Sequence, residues 1–320
     1  MDTVIENKRK VLIVAPHFNF PPMDGADKTI EAFFEVLDGF EIFLLYSEGL
    51  YNVTTSELII QHRLKRRPKY LAAIFSIYNK ETYSAALFDR SEILGDFSFY
   101  AVIYSYLGNL YKYKEFIKAE KSLVWTHNYD IDWYSYKKSQ NCVLNIVNFF
   151  NRHSTVRYLR NLNKDTYLIA CSEYDHIQYS RWHSRTVKVG IGVDLINHDN
   201  IGKTRARNGR SLAFVGSLGN RMNLDALEYF DKHFWPGLVA EGFRFSVVGS
   251  NPSKAIIDLV ERNSWMSYYN VASEDFDSTM DNFDFFVMPF EYNNGFKLKQ
   301  LLSLKYRKPI LATKAIELID

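Results

Sequence analysis

Cysteine is scarce: there are two in 320 residues, Cys142 and Cys171, with no C-x-x-C spacing. Thiols so placed offer neither a disulfide framework nor a zinc pattern, and a reducing compartment, the cytoplasm, is the expectation. Long apolar runs are missing as well. No stretch of about 18 apolar residues occurs, so no segment is expected to span a bilayer as a helix. Near the N-terminus only the short run Val11 to Ala15 separates "ENKRK" from Pro16, too little for the apolar core of a signal peptide. A surplus of one charge sign is also absent, since 39 Lys and Arg stand against 37 Asp and Glu, a net +2. With no basic stripe and no nucleic-acid module, no nucleic-acid partner is expected.

What the chain does have is length for two cores and an α/β rhythm. Short apolar runs recur with helical spans between them: "VLIVAP" 11–16, "EIFLLYS" 41–47, "AVIYSY" 101–106, "SLVWTH" 122–127 and "YLIACS" 167–172. After Gly25, the residues Ile30, Phe33, Phe34 and Leu37 fall at i, i+3, i+4 and i+7, which predicts a helix with one buried face. The polar stretch within 197–210 reads as a linker. A second series follows: "SLAFVGS" 211–217, "FRFSVVGS" 243–250, "SYYNVA" 267–272, "FDFFVMPF" 283–290 and "KPILAT" 308–313, with helices expected over 223–235, 252–263 and 295–306. The division is therefore 1–196, linker 197–210, and 211–320. Two parallel-sheet domains in tandem put a cleft between them, and such sheets bind ligands beyond the carboxyl ends of their strands.

Aromatics are plentiful, with 22 Tyr and 24 Phe. Residues 62–84 carry five basic residues in seven and then a run of aromatic and aliphatic side chains. The favoured reading is a solvated helix with a core face. The other is a peripheral membrane contact, with basic residues on anionic headgroups and Tyr70, Phe75 and Tyr78 at the interface.

Three strand-to-helix junctions in the second domain suit a phosphorylated ligand. In "FVGSLGNRMNLDAL" Gly216 and Gly219 permit a tight turn, Ser217 lies in it, and Arg221 adds positive charge where a helix start presents backbone N–H groups. In "VVGSNPS" the strand ends at Gly249, Ser250 serves the turn or cap, and Pro252 suits a helix start. In "NNGFKLKQLL" Gly295 lets the backbone approach a ligand. Lys297 and Lys299 are two apart and cannot share one face of a helix, so Lys299 is expected on phosphate and Lys297 nearer the rim.

Taken together, "APHFNFPPMDGADKT", "WTHNYDIDWY", "CSEYD", "VGIGVD", "FVGSLGNRMNLDAL", "VVGSNPS" and "MPFEYNNGFKLKQLLSLKYRKPILAT" resemble the retaining GT-B glycosyltransferases of the group-1, family-four kind. They are most similar to bacterial polysaccharide sugar transferases. The resemblance implies an α/β, GT-B architecture of two Rossmann-like domains. It also implies a nucleoside-diphosphate sugar bound by the second domain and a saccharide or lipid-linked saccharide acceptor bound by the first. Transfer would retain configuration, with the leaving phosphate taking the acceptor proton, and would need no metal and no cofactor. Gly25 matches the loop glycine that approaches donor phosphate and sugar, and His127 matches a histidine beside the donor sugar, the catalytic candidate. Arg221 and Lys299 match basic positions on the diphosphate. Asp24 and Asp130 are candidates on the acceptor side. Such an enzyme would be cytoplasmic or peripheral at the inner face of the plasma membrane.

The sequence departs from that pattern in places. Leu302 and Asn294 stand where relatives carry carboxylates, the first of them on the ribose, and losing a charge-assisted contact costs about 1.5–3 kcal/mol. The loop "VGIGVD" lacks an asparagine before its second glycine, and the family's closing helices have no counterpart after "KPILATKAIELID", so a shortened form is expected. Three alternatives stay open: a metal-dependent transferase using Asp130 and Asp132, a nucleotide-sugar 2-epimerase of the same architecture, and a non-catalytic partner or nucleotide-binding protein.

Overall fold

The computed structural model describes residues 8–19, 25–61, 64, 66–88, 97–136, 142–190, 209–270, 276–291 and 297–316. They separate into two compact units divided at residues 191/192. The linker residues 197–208 lie outside the described residues.

Unit one begins β1 (Lys10–Val14), α1 (Gly25–Val36), β2 (Glu41–Tyr46), β3 (Gly49–Asn52), β4 (Glu57–Gln61), α2 (Lys69–Tyr78) and α3 (Tyr83–Ala86). It continues β5 (Ser98–Ser105), α4 (Leu107–Tyr113), β6 (Lys118–Thr126), α5 (Asp130–Tyr136), α6 (Cys142–Arg160), β7 (Thr166–Ala170), α7 (Glu173–Ser180) and β8 (Thr186–Lys188). The strands form one sheet in the order β4-β3-β2-β1-β5-β6-β7-β8. The continuous apolar strands are central because both sheet faces are covered. Leu12 and Val14 enter one core with Val102 and Val124, while Val11 and Ile13 enter another with Ile103 and Trp125. Helix α1 closes the second core: Ile30 is buried, and Phe33, Phe34 and Leu37 pack beside it, as their spacing predicts.

The five expected strands are β1, β2, β5, β6 and β7. Three more were not foreseen. Strands β3 and β4 turn back as an antiparallel meander on β2, pairing Phe43 with Asn52 and Leu50 with Ile60. Their links are too short for a crossover helix, which forces the antiparallel direction. Strand β8 adds three residues beside β7.

Unit two runs β9 (Ser211–Val215), α8 (Arg221–His233), α9 (Trp235–Ala240), β10 (Arg244–Val248), α10 (Lys254–Glu261), β11 (Met266–Tyr269), α11 (Phe276–Met280), β12 (Phe285–Met288), α12 (Lys299–Tyr306) and β13 (Ile310–Ala312). All five strands are parallel, in the order β11-β10-β9-β12-β13, and all five were expected. The chain steps outward from β9 to β11, then crosses back to lay β12 on the other side of β9. The carboxyl ends of β9 and β12 therefore flank the topological switch point, where doubly wound sheets bind ligands.

Two helix starts differ from expectation. Ser253, not Ser250, caps α10, accepting the Ile256 N–H at 3.4 Å. Asn251 takes the left-handed conformation ahead of it, so Pro252 precedes the cap. Helix α12 begins at Lys299 rather than 295, because Lys297 and Leu298 lead into it. Among the described residues, no helix is long and apolar enough to cross a membrane.

Candidate active site

At the switch point, the turn after β9 packs directly on the turn after β10. The Gly216 N–H bonds Val248 O at 3.0 Å, Leu218 N–H bonds Ser250 O at 3.1 Å, and Ser253 N–H bonds Leu218 O at 3.0 Å. The approach is close enough that a Cβ on Gly249 would lie 1.9 Å from Gly216 O. Gly249 is thus required by backbone packing. Ser217 and Ser250 are exposed on this platform, and the Ser217 carbonyl accepts Asn223 Nδ2 at 2.6 Å.

Asn223 ties the platform to α12, since Lys299 Nζ donates to Asn223 Oδ1 at 2.7 Å. The same ammonium lies 4.0 Å from the Phe214 ring centre and 4.8 Å from that of Phe290. Lys297 Nζ is 5.2 Å from the Phe290 ring centre. The two lysines therefore converge on one ring, where a helical spacing would have splayed them. The correction follows from Lys297 standing before the helix, and Lys297 is also the more buried residue. A Cβ on Gly216 would come within 2.7 Å of Lys299 Nζ, so this glycine makes room for the ammonium.

The charge of Lys299 is opposed by its surroundings. Burial, and next the charge of Lys297, hold Lys299 well below the ordinary lysine range. Both cations also sit at the positive end of α12, where the helix dipole disfavours them. Among the described residues, the hydrogen-bond partner of Lys299 is the neutral Asn223 amide. An anion placed here would offset all three terms.

Arg221 has a different setting. Its guanidinium reaches along α8 to Asp225 at 2.7 Å and Glu228 at 3.7 Å, and its side chain is 65% exposed. Asn220 caps that helix and already takes the Met222 N–H at 3.0 Å. Leu302 packs against the core of Ala213, Val215, Phe286 and Tyr306. Gly295 and Asn294 lie outside the described residues, as does Asp24.

In unit one, the carboxyl ends of β1, β5 and β6 gather an aromatic cluster. His127 follows β6, with Nε2 2.9 Å from Ser105 Oγ and its ring 4.3 Å from that of Tyr106. Burial, then the neighbouring His17, lower its pKa to about 4, so the imidazole is neutral near pH 7. Tyr106 holds φ 73° and ψ 144°, a conformation costing a bulky residue about 1–3 kcal/mol. Gly25 opens α1, and in its first turn the buried Asp27 accepts Asn19 Nδ2 at 3.0 Å.

Asp130 and Asp132 both fall in the first turn of α5, about 200° apart around the helix. Asp132 accepts the Tyr174 hydroxyl. Burial, then Asp175, push the Asp130 carboxyl up to about 7. The two carboxylates thus stand in different settings, and no group of three metal-ligating side chains occurs among the described residues.

Sequence reasoning missed Asn223, Phe214 and Phe290 in unit two, and His17, Ser105 and Tyr106 in unit one. Asn223 alone left a signal, inside the "NLDAL" run. The rings looked like ordinary core, and their place beside the lysines depends on sheet order.

A family model described as "Glycosyl transferases group 1" matches residues 209–320, about the last third of the chain, the stretch that forms most of unit two. No curated protein matches the chain significantly. Several solved structures share the fold. WaaG, a glycosyltransferase involved in lipopolysaccharide biosynthesis, is 13% identical with a TM-score of 0.58, over 95% of this chain and 81% of WaaG. Anabaena HepE in complex with UDP-glucose is 12% identical with a TM-score of 0.54, over 96% and 81%. A glycosyltransferase from Rickettsia africae is 14% identical with a TM-score of 0.56, over 96% and 80%. Against S. aureus TarM the chain spans 48% of that protein's length, at 12% identity, a TM-score of 0.46 and 84% of this chain. The architecture is α/β, with the Rossmann-like parallel sheets of GT-B glycosyltransferases.

Proposed function

We propose that the chain is a glycosyltransferase that takes a nucleoside-diphosphate sugar as donor and a saccharide or lipid-linked saccharide as acceptor, with retention of configuration, in the synthesis of a bacterial surface polysaccharide or glycoconjugate. The observation that carries this is the convergence of Lys297 and Lys299 at the β9/β12 switch point of the unit that matches group 1 glycosyl transferases. Lys299 and Lys297 neutralise the diphosphate, while the 216–219 and 249–253 turns present Gly216, Ser217, Gly249 and Ser250 to it. Two structurally similar proteins support the same reading: one is bound to UDP-glucose, and the other is a glycosyltransferase involved in lipopolysaccharide biosynthesis.

In the reaction, the bond from the anomeric carbon to the diphosphate oxygen breaks and a bond to the acceptor oxygen forms on the same face of the sugar. The acceptor proton passes to the departing diphosphate, and the lysine ammoniums stabilise its negative charge. No metal is required for these steps. His127, neutral near pH 7 and oriented by Ser105, donates or accepts a hydrogen bond at the sugar. Asp24, Gly25 and Asp130 serve the sugar and acceptor side. The ribose is recognised without a carboxylate from position 302.

The test is release of nucleoside diphosphate from a panel of UDP-, GDP- and ADP-sugars, with and without EDTA, against lipid-linked and free saccharides. Turnover that survives EDTA, with the product anomer matching the donor by NMR, is expected. Turnover that stops in EDTA, or an inverted product, would overturn the corresponding step.

A further inference from the structure

Helices α2 and α6 lie side by side on one face of the unit-one sheet: Phe75 of α2 and Val156 of α6 pack on the same core, Arg157 of α6 bonds the Lys80 carbonyl, and the Tyr83 N–H bonds Asn151 Oδ1 at 2.6 Å. Phe75 thus turns inward, correcting its assignment to the outer surface. It also takes the Arg67 guanidinium, 4.4 Å from its ring centre, while Arg67 bonds the Ala86 and Phe88 carbonyls. The outward row of α2 is instead Tyr70, Ile74 and Tyr78, spaced i, i+4, i+8 and 67%, 57% and 82% exposed. On the neighbouring α6, Ile146 and Phe149 are also apolar and outward, 50% and 66% exposed.

The charge around this surface has one sign. Residues 66–80 and the whole of α6 contain no Asp or Glu, although the chain as a whole is nearly balanced. The exposed cations are Arg66, Lys69 and Lys80 about α2, and Arg152 and Arg160 on α6. The next acidic residue along the chain, Glu81, is buried, with Lys112 Nζ at 3.9 Å. Large apolar side chains rimmed by cations, with carboxylates excluded over two adjacent helices, fit an anionic bilayer. The rings and aliphatics enter the headgroup boundary and the cations meet lipid phosphates.

We infer that α2 and α6 together form a membrane-docking face for an anionic lipid surface. The inference does not depend on the transferase reading.

The experiment is co-sedimentation of the full chain with vesicles of phosphatidylcholine containing about 30% phosphatidylglycerol, beside vesicles of phosphatidylcholine alone. Binding to the anionic vesicles that weakens as salt rises is expected. Tyr70→Ser/Ile74→Ser/Phe149→Ser should lower the partition coefficient about tenfold or more, and Lys69→Gln/Lys80→Gln/Arg152→Gln should remove the salt dependence. Val36→Ser, an equally exposed apolar loss at the end of α1, should change nothing. Should the triple variant melt early, Tyr78→Ser alone gives the same readout at the most exposed position. Absence of vesicle binding, or equal binding to neutral vesicles, would overturn the inference. So would a dimer in sedimentation equilibrium that the apolar variant splits and that ignores vesicles, since the face would then belong to a second copy of the chain.

Discussion

The two sheets end their central strands in opposite electrostatic settings. At the carboxyl ends of β1, β5 and β6, unit one gathers His17, Tyr106, Ser105 and a histidine held neutral by burial. At the corresponding ends of β9 and β12, unit two gathers two lysines against aromatic rings, with burial opposing the charge of Lys299. Similar parallel topology therefore supports two kinds of site. Rings and hydroxyls can orient a ligand by hydrogen bonds, whereas the lysine pair offers positive charge to an anion.

The contrast can be broken most severely at Gly249. A Cβ there meets the Gly216 carbonyl oxygen at 1.9 Å, backbone against backbone, so Gly249→Ala should destabilise unit two by about 3 kcal/mol or more in a urea melt. Gly216→Ala meets mainly the flexible end of Lys299, at 2.7 Å. That variant should fold with a smaller loss, while diphosphate affinity falls because the ammonium is displaced. Equal melts for the two variants would mean that the platform is not packed as described.

Unit one is separated from unit two by its response to acid. The folded pKa of His127, about 4, is below the ordinary 6.5, so the unfolded chain binds more protons between these values. Its contribution is complete above pH 6.5 and is lost as pH falls toward 4, an effect of about 3 kcal/mol. Asp130 has the opposite sign: its folded pKa, about 7, lies above the ordinary 3.8, and its contribution is lost as pH rises through that window. The two slopes offset each other in the intact chain. Asp130→Asn should expose stability that rises from pH 4 to 6.5, and His127→Gln should expose stability that falls from pH 4 to 7. Parallel pH profiles for both variants would contradict the assigned burial.

The smallest effect is expected at Arg221. Its ion pairs are exposed, and Arg221→Ala should change stability by less than about 1 kcal/mol and diphosphate affinity little. A large loss of affinity would return Arg221 to the phosphate site that its sequence position suggested.

The sequence made the parallel frame legible because buried strands are written as apolar runs, such as "VLIV" and "SLAFV", flanked by turn residues. It could not show β3 and β4, whose residues carry no comparable run. Lys299 was legible from its glycine-lysine context, but its geometry was not: the start of α12 decides whether Lys297 diverges or converges, and no cap residue announces it, since Leu298 provides no side-chain cap. His127 was named through resemblance. Its neutrality comes from burial, with Tyr106 against its ring and His17 acting electrostatically, residues that follow other strands and that linear spacing cannot reveal.

The most direct measurement is calorimetric titration of UDP, GDP, ADP and inorganic pyrophosphate into the full chain and into Lys299→Met, with the apo melting temperature of each. Methionine keeps the stem between Phe214 and Phe290 and removes the charge. The expected result is saturable binding of at least one nucleoside diphosphate, weakened ten- to a hundredfold in Lys299→Met, about 1.4–2.8 kcal/mol, with an apo melting temperature equal to or above that of the parent chain. Binding unchanged in Lys299→Met, or binding of no diphosphate by the parent chain, would contradict a donor site at the β9/β12 switch point.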